Sequence, residues 1–193
     1  AVGIVRLQLD FQFTWFIPSG TDAKEAALIS LDYFTGENVP AFMYTKDVDY
    51  YTKRADVISL CDDFAANEYI VSSSLSCWMK QWDSDTSGAA SAGSAVGYAN
   101  ANAWYASLKT YLTTPGSGAR FEGFVKWTDS SDPSKGIAAT TIFAQFDAAK
   151  DANENIASMD SVRTVAAEYK ESLDALVFSP PFVFWEGLKV VYG

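Results

Sequence analysis

The chain has 193 residues, of which 49% are hydrophobic and 15% aromatic, and its formal net charge is -10. A chain of this length and apolar content buries one sizeable core, so we expect a single domain rather than a disordered tail. The acidic charge and the lack of any Lys- or Arg-rich segment argue against nucleic acid and anionic lipid headgroups as electrostatic partners.

The sequence contains no histidine. Imidazole general-base catalysis, Ser-His and Cys-His nucleophiles and His-ligated metal sites are therefore excluded. Carboxylate, Lys, Tyr and Cys side chains remain as catalytic candidates, and we expect a protein without enzymatic activity or a cofactor. The chain has no apolar run of about 20 residues, so we expect it not to span a membrane itself. Its apolar ends fit a segment excised from a longer polypeptide.

The first fifty residues predict a strand, a helix and a second strand. Apolar and polar residues alternate from Val5 to Phe13, which is typical of a half-buried strand. Asp22 and Glu25 form a capping pair, and Gly36 supplies a helix stop. The apolar stripe between them, at helical spacing, consists of Ala27, Leu28, Leu31 and Phe34. The second strand is expected at Val39–Thr45.

The middle of the chain predicts helices. One begins near Thr52 or Asp56, and a second runs from Leu75 to Trp82. The first carries Val57, Ile58, Leu60, Cys61 and Phe64 towards the core. Residues 84–103 are rich in Ser, Ala, Gly and Asn and predict a mobile loop. Helical spacing resumes over Trp104–Leu112 and ends at Pro115-Gly116.

The last third predicts strands around one long helix. Strands are expected at Phe121–Trp127 and Ile137–Phe146, and a helix at Asn153–Leu173. The helix carries one stripe, which consists of Ile156, Met159, Val162, Ala166, Tyr169 and Leu173. The stretch Val177–Val191 contains two adjacent prolines, which cannot donate backbone hydrogen bonds, and we interpret it as a terminal strand.

The order of these elements predicts an α+β fold. With residues 50–119 set aside, the strands and helices resemble the ferredoxin-like split βαβ arrangement. Residues 1–49 and 120–193 would form that core, with residues 50–119 as a helical insertion after the second strand. The first and last strands would then be antiparallel neighbours, and the two chain ends would leave from the same side.

Several residues are candidates for chemistry or contact. Cys61 and Cys77 would form a disulfide in an oxidising compartment, or remain two small hydrophobic residues in a reducing one. Trp78, Trp82 and Trp104 are interpreted as core residues, with lipid or partner contact as the alternative.

We interpret the acidic clusters as surface charge and not as a metal-binding or catalytic site. Asp83–Gly88 matches the first half of a calcium loop, but Ser94 stands where a bidentate Glu is needed. We therefore expect a solvated turn there and no metal. The acidic pairs that glycoside chemistry would require are Asp47 with Asp49 and Asp62 with Asp63. Their setting near Lys53 and Arg54 is typical of a charged surface.

A set of short motifs resembles one family. Pro181–Glu186, PFVFWE, is similar to the P-F-[IV]-F-[WY]-E signature that closes the second large ectodomain of Patched-related proteins. Other segments resembling that family, in the same order, are Leu7–Pro18, Tyr33–Met43, Ser76–Trp82, Trp104–Leu112, Phe124–Trp127, Ile137–Phe146 and Val162-Arg163. The family often has Gln-Tyr where this chain has Gly187-Leu188. The multiple-cysteine pattern of the Niemann-Pick type C branch is absent, which favours a Patched-like or Dispatched-like branch.

The resemblance implies a parent of the resistance-nodulation-division superfamily with twelve membrane helices, often including a sterol-sensing domain. This chain would be its second extracytoplasmic domain, on the extracellular or luminal side, where a Cys61–Cys77 bridge is favoured. Its expected partners are the first ectodomain and the membrane helices of the same parent, together with sterol or other lipid cargo. The alternatives are a receptor-type ectodomain that binds a protein and, more remotely, a secreted carboxylate-dependent hydrolase.

Overall fold

The computed structural model of the chain describes residues 39–85, 98–149 and 151–192. The strand predicted at Val5–Phe13, the helix predicted at Asp22–Phe34 and most of the loop predicted at residues 84–103 lie outside these ranges. The strands and helices within the described ranges are numbered in chain order.

Four strands form one antiparallel sheet in the described part of the chain. They are β1 (Pro40–Lys46), β2 (Val125–Trp127), β3 (Ile137–Gln145) and β4 (Leu176–Phe178). Their order across the sheet is β2-β3-β1-β4, and each neighbouring pair is antiparallel. The α+β class is confirmed, as are the strands predicted at Val39–Thr45 and Ile137–Phe146.

Six α-helices accompany the sheet within the same three ranges. They are α1 (Arg54–Ala66), α2 (Trp78–Asp85), α3 (Ala101–Thr113), α4 (Ala152–Glu168), α5 (Lys170–Leu173) and α6 (Phe182–Tyr192). Short 3-10 segments occupy Ser72–Ser74, Ala119–Phe124 and Pro133–Lys135. The side chain of Asn100 caps α3 at the amide of Ala103, and Asp151 caps α4 at the amide of Glu154.

The predicted helices of the middle region are confirmed, with two shifted starts, since α3 begins at Ala101, inside the predicted loop, instead of at Trp104. α1 buries four of its apolar side chains, namely Val57, Leu60, Cys61 and Phe64. α2 begins at Trp78 instead of Leu75, because the residues before it pair with the sheet. The amide of Ser76 donates to the carbonyl of Phe143 (2.7 Å), and the reverse bond measures 3.2 Å.

The terminal-strand prediction for Val177–Val191 is wrong beyond Phe178. β4 ends there, and α6 begins at Phe182 after the two prolines. A helix start tolerates proline because the first amides have no partner within the helix. The amides of Phe184 and Trp185 both donate to the carbonyl of Pro181, at 2.9 and 3.0 Å. Burial of Phe182, Trp185 and Leu188 follows the helical period rather than the alternation of a strand.

The strand predicted at Phe121–Trp127 is also wrong in its first half. Residues Ala119–Phe124 form a 3-10 segment, and only Val125–Trp127 pair with β3. Phe121 is buried and packs edge-on against Phe124, with ring centroids 5.7 Å apart. The 3-10 turn thus brings Phe121 and Phe124 into contact, and these rings do not alternate between the two faces of a strand.

The predicted long helix at Asn153–Leu173 divides into two. α4 ends at Glu168, and α5 follows at Lys170–Leu173. At the break, the amide of Tyr169 donates to the carbonyl of Ala166, a tightened last turn. Asp174 then adopts a left-handed conformation (φ 46°) that ends α5.

The sheet has a core face and a second face. Ala41, Met43 and Thr45 of β1 are buried on the core face, opposite Ala144, Ile142 and Thr140 of β3. The residues between them in sequence, Phe42, Tyr44 and Phe143, lie on the second face and are half-buried.

Candidate functional site

The three tryptophans proposed for contact are buried in the core. Trp78, Trp82 and Trp104 are each at most 1% exposed. The indole of Trp78 donates to the Oγ1 of Thr140 on the core face of the sheet. Buried side chains reach a ligand only when the helices around them separate, so the contact role of these residues stays a prediction.

Two of these tryptophans belong to one aromatic cluster between α2 and α3. The Trp82 and Trp104 ring centroids lie 5.4 Å apart, and Trp82 stacks on Tyr111 at 5.9 Å. Trp104 also meets Tyr105 edge-on at 5.0 Å. The indole nitrogen of Trp104 is buried without a hydrogen-bond partner in the described structure. The cluster holds α2 and α3 together by offset and edge contacts.

Cys61 and Cys77 form a disulfide, which confirms that prediction. It joins the middle of α1 to the residue before α2, and the Cα atoms lie 6.3 Å apart. Both side chains are buried, Cys61 at 0% exposure and Cys77 at 4%. The bridge therefore closes a loop inside the core rather than at the surface.

The acidic pairs are engaged with neighbouring side chains. Asp62 pairs with Lys80, and the Tyr169 hydroxyl donates to Asp63. Asp49 accepts from the hydroxyl of Tyr105 at 3.0 Å. Within the described ranges, no three Asp, Glu, Cys or His side chains are grouped so as to hold a metal ion.

Asp85, in the segment that resembles half a calcium loop, links two helices. It accepts hydrogen bonds from Ser117, from Tyr111 (2.7 Å) and from Gln81 (2.8 Å). These bonds, with that of Ser117 the strongest influence, hold the pKa of the Asp85 carboxyl below its usual value. The carboxylate thus joins α2 to the end of α3.

An open groove of about 530 Å³ lies between α4, α5 and β4. Its apolar floor consists of Ala166, Ala167, Ala175, Leu176 and Val177. Charged side chains stand along its edges, namely Arg163, Lys170 and Glu171. Leu176, on the edge strand β4, is 42% exposed. A concave apolar surface with a few charged groups is the general form of a small-molecule site.

The cations at the groove are held by neighbouring acids. Arg163 pairs with Glu186 of α6, and its guanidinium lies 5.1 Å from the ring centre of Phe182. Lys170 pairs with Asp174, which also lies 3.5 Å from the Lys46 ammonium. Lys170 is the main cause of a lowered pKa at the Asp174 carboxyl. These pairs orient the charged side chains along the edge and leave the floor apolar.

The groove was missed in the sequence because its two walls are distant along the chain. Arg163, Ala166, Ala167 and Lys170 recur at helical spacing, but nothing in that pattern shows which strand lies beside them. Only the turn through Asp174 and the pairing of β4 with β1 bring Leu176 and Val177 to this side of α4.

Neither a protein-family model nor a curated protein matches this sequence. Among the helices of the described ranges, none combines the length and the apolar character needed to cross a bilayer. Function is therefore inferred from the residues and their geometry.

Proposed function

We propose that this chain is an extracytoplasmic α+β domain of a Patched-like transporter of the resistance-nodulation-division superfamily. It would bind or pass sterol or another lipid together with the rest of its parent, and would have no enzymatic activity. The observation that carries the proposal is the groove between α4, α5 and β4, whose floor is apolar and open to an aliphatic ligand.

The order of strands supports a ferredoxin-like arrangement. From the far edge, the sheet runs β4-β1-β3-β2, with helices between β1 and β2 and α4 between β3 and β4. This succession resembles the β-α-β-β-α-β order of the split βαβ motif, which supports the ferredoxin-like arrangement as a proposal. This proposal differs from the sequence-based expectation, because Pro40–Lys46 (β1) becomes the first strand of the unit instead of the second, and α1 to α3 form its first crossover instead of an insertion.

The buried disulfide supports an extracellular or luminal address. Disulfides persist in oxidising compartments and are rare where cytosolic thiols remain reduced. The second extracytoplasmic domain of a membrane transporter would fold in such a compartment.

The family-like hexapeptide lies beside the groove. Pro181 directly precedes α6, Phe182–Glu186 form the beginning of that helix, and Glu186 pairs with Arg163 at the groove edge. On the outer side of α6, Val183 and Val190 are exposed, Val190 by 84%. We assign this outer side to contact with the first ectodomain or membrane helices of the parent.

A binding titration tests the lipid role. Dehydroergosterol, a fluorescent sterol, is titrated into the chain, and saturation is followed by energy transfer from tryptophan. In the variant Ala167→Trp the new side chain fills the groove floor, and we expect affinity to fall by at least 10-fold. The matched control is Ala106→Trp, which places the same bulk on the exposed surface of α3. Equal binding by Ala167→Trp and the native chain would remove the groove from the proposal.

A receptor-type ectodomain that binds a protein is the alternative function. The groove is an open surface depression, a shape that also admits a protruding side chain of a protein partner. Absence of saturable sterol binding in the native chain would favour this alternative. Sterol binding that Ala167→Trp weakens would contradict it.

A further inference from the structure

The charged side chains around the groove between α4, α5 and β4 are unequally arranged. Of the residues that line the groove, two are cations, Arg163 and Lys170, and one is an acid, Glu171. The carboxylates that pair with the two cations belong to Glu186 and Asp174, and neither of these residues lines the groove. The two acids therefore hold the cations from outside, and the groove itself is left with a small excess of positive charge.

Arg163 is the better placed of the two cations to bind an anion. Its guanidinium is held on two sides, by the ion pair with Glu186 and by the ring of Phe182, whose centre lies 5.1 Å away. The flexible side chain of Lys170 is 58% exposed, against 41% for Arg163, and its neighbour in sequence is the acid Glu171. A cation that is already oriented loses less conformational entropy when it binds a ligand.

The Arg163 guanidinium keeps hydrogen-bond donors for a ligand. A guanidinium has five N–H donors, and within the described residues only the Nη1 atom of Arg163 is engaged, as a donor to Glu186. The planar fork of the group matches the oxygen atoms of a carboxylate or a sulfate. The ion pair with Glu186 is partly exposed, and such pairs contribute little to stability. Sharing the guanidinium with a second anion therefore costs the fold little.

The apolar floor of the groove begins directly beside Arg163. Ala166 and Ala167 follow it by three and four positions on α4, the spacing that places residues on the same face of a helix. Leu176 and Val177 of β4 supply the opposite part of the floor. The groove thus offers a cation and then an apolar surface, an order that matches a ligand with an anionic head group and an apolar body.

We propose that the groove binds an anionic amphiphile, with its carboxylate or sulfate group on Arg163 and its apolar body along the floor. This inference rests on the proposed function and restricts the class of lipid that the groove takes. The net charge of -10 opposes docking on an extended anionic membrane surface. A single head group needs only one local cation, because dissolved salt screens the acids that lie more than about 10 Å away.

A matched pair of fluorescent ligands tests the preference for an anion. cis-Parinaric acid carries a carboxylate, and its methyl ester has the same apolar chain without the charge. Each is titrated into the native chain below the concentration at which micelles form, and saturation is followed by the fluorescence of the ligand. We expect the acid to bind at least about 10-fold more tightly, the ratio that one hydrogen bond to a charged group typically supplies. Equal affinities of the acid and the ester would overturn the proposal.

The variant Arg163→Gln locates the head group. We expect it to weaken binding of the acid at least about 10-fold and to leave binding of the ester unchanged. The matched control is Lys189→Gln, which removes the same charge and another ion pair between α6 and α4, that with Asp160 at 2.7 Å, but does not line the groove. If Arg163→Gln does not fold, Arg163→Met, which keeps aliphatic packing on Phe182, takes its place. Equal losses in the Arg163 variant and in Lys189→Gln would overturn the assignment.

Competition identifies the apolar body of the ligand and separates this inference from the proposed function. Displacement of bound cis-parinaric acid by cholesterol sulfate assigns the body to a sterol, and displacement by stearic acid alone assigns it to an acyl chain; either result supports an anionic amphiphile. If dehydroergosterol binds and neither cis-parinaric acid nor cholesterol sulfate does, the preference for an anion is overturned and the lipid role stands. If none of the three binds, both proposals fail.

Discussion

The two buried threonines on the core face of the sheet, Thr45 and Thr140, each have a hydrogen-bond partner. Thr140 accepts from the indole of Trp78 and donates to the carbonyl of Phe124 at 2.9 Å. Thr45, opposite it, shares its hydroxyl with Tyr50. A buried polar group without such a partner carries its full desolvation cost, so each of these pairs is a sensitive position.

Replacing Thr140 with Val tests the first of these pairs. The variant keeps the side-chain shape but leaves the Trp78 indole and the Phe124 carbonyl without their partner. We expect the free energy of unfolding to fall by about 1–3 kcal/mol, measured by urea denaturation. The matched control is Thr141→Val, whose side chain points to the second face and is half-buried; its effect is expected within about 0.5 kcal/mol. Equal effects of the two variants would contradict the role of the Thr140 hydroxyl.

The buried Tyr50 side chain makes the free energy of unfolding depend on pH in the alkaline range. Burial is the main cause that raises its pKa from 10.0 to about 12. Because the folded pKa lies above the unfolded value, the stabilisation is complete below about pH 10 and is lost as pH rises towards 12. We expect the free energy of unfolding of the native chain to fall between pH 10 and 12, and less steeply in Tyr50→Phe. Urea denaturation across this range measures both slopes, and parallel slopes would contradict the assignment.

At the scale of elements, hydrophobic periodicity in the sequence predicted those helices whose buried residues all recur at helical spacing. α1 and α3 are examples, because Val57, Leu60 and Phe64, or Trp104, Leu108 and Leu112, recur at helical spacing. The beginning of α6 was not predictable in this way. Its Phe-Val-Phe-Trp run has the composition of a strand, and burial of Phe182 and Trp185 against Phe146 decides the helix instead.

The start of α2 and the candidate site depended on distant partners. Ser76 is held out of α2 by pairing with Phe143, sixty-seven positions away in sequence. The groove likewise requires β4 beside α4. Periodicity in the sequence shows neither of these long-range relations, although the sequence did identify the two cysteines that form the disulfide.

A glycine inside α6 offers a simple test of that helix. Gly187 is exposed, and a Cβ built on it would meet no described atom within 4 Å. Gly187→Ala should therefore stabilise the protein by about 0.5–1 kcal/mol, measured by urea denaturation. The contrasting control is Gly136→Ala, at φ 79° beside the ring of Tyr105, which should destabilise by about 1 kcal/mol or more. Destabilisation by Gly187→Ala would argue against a helix at this position.

For the whole molecule, the disulfide restricts the unfolded chain. It closes a loop of sixteen positions between α1 and α2. Loop-closure entropy for this length corresponds to about 3 kcal/mol. We expect the double variant Cys61→Ala with Cys77→Ala to lose stability by about that amount in urea, while retaining the native circular dichroism spectrum. A loss below about 1 kcal/mol would show that the unfolded chain is already compact in this region.

The burial of both sulfur atoms has a kinetic consequence. Thiol–disulfide exchange requires an attacking thiolate to reach a sulfur atom, and Cys61 has no exposed surface. A reductant can therefore attack the disulfide only after α1 and the segment directly before α2 have separated transiently. The rate at which a small thiol reduces the native protein therefore reports how fast these segments separate. At high reductant concentration the reduction rate should reach a plateau, because the separation then becomes the rate-limiting step.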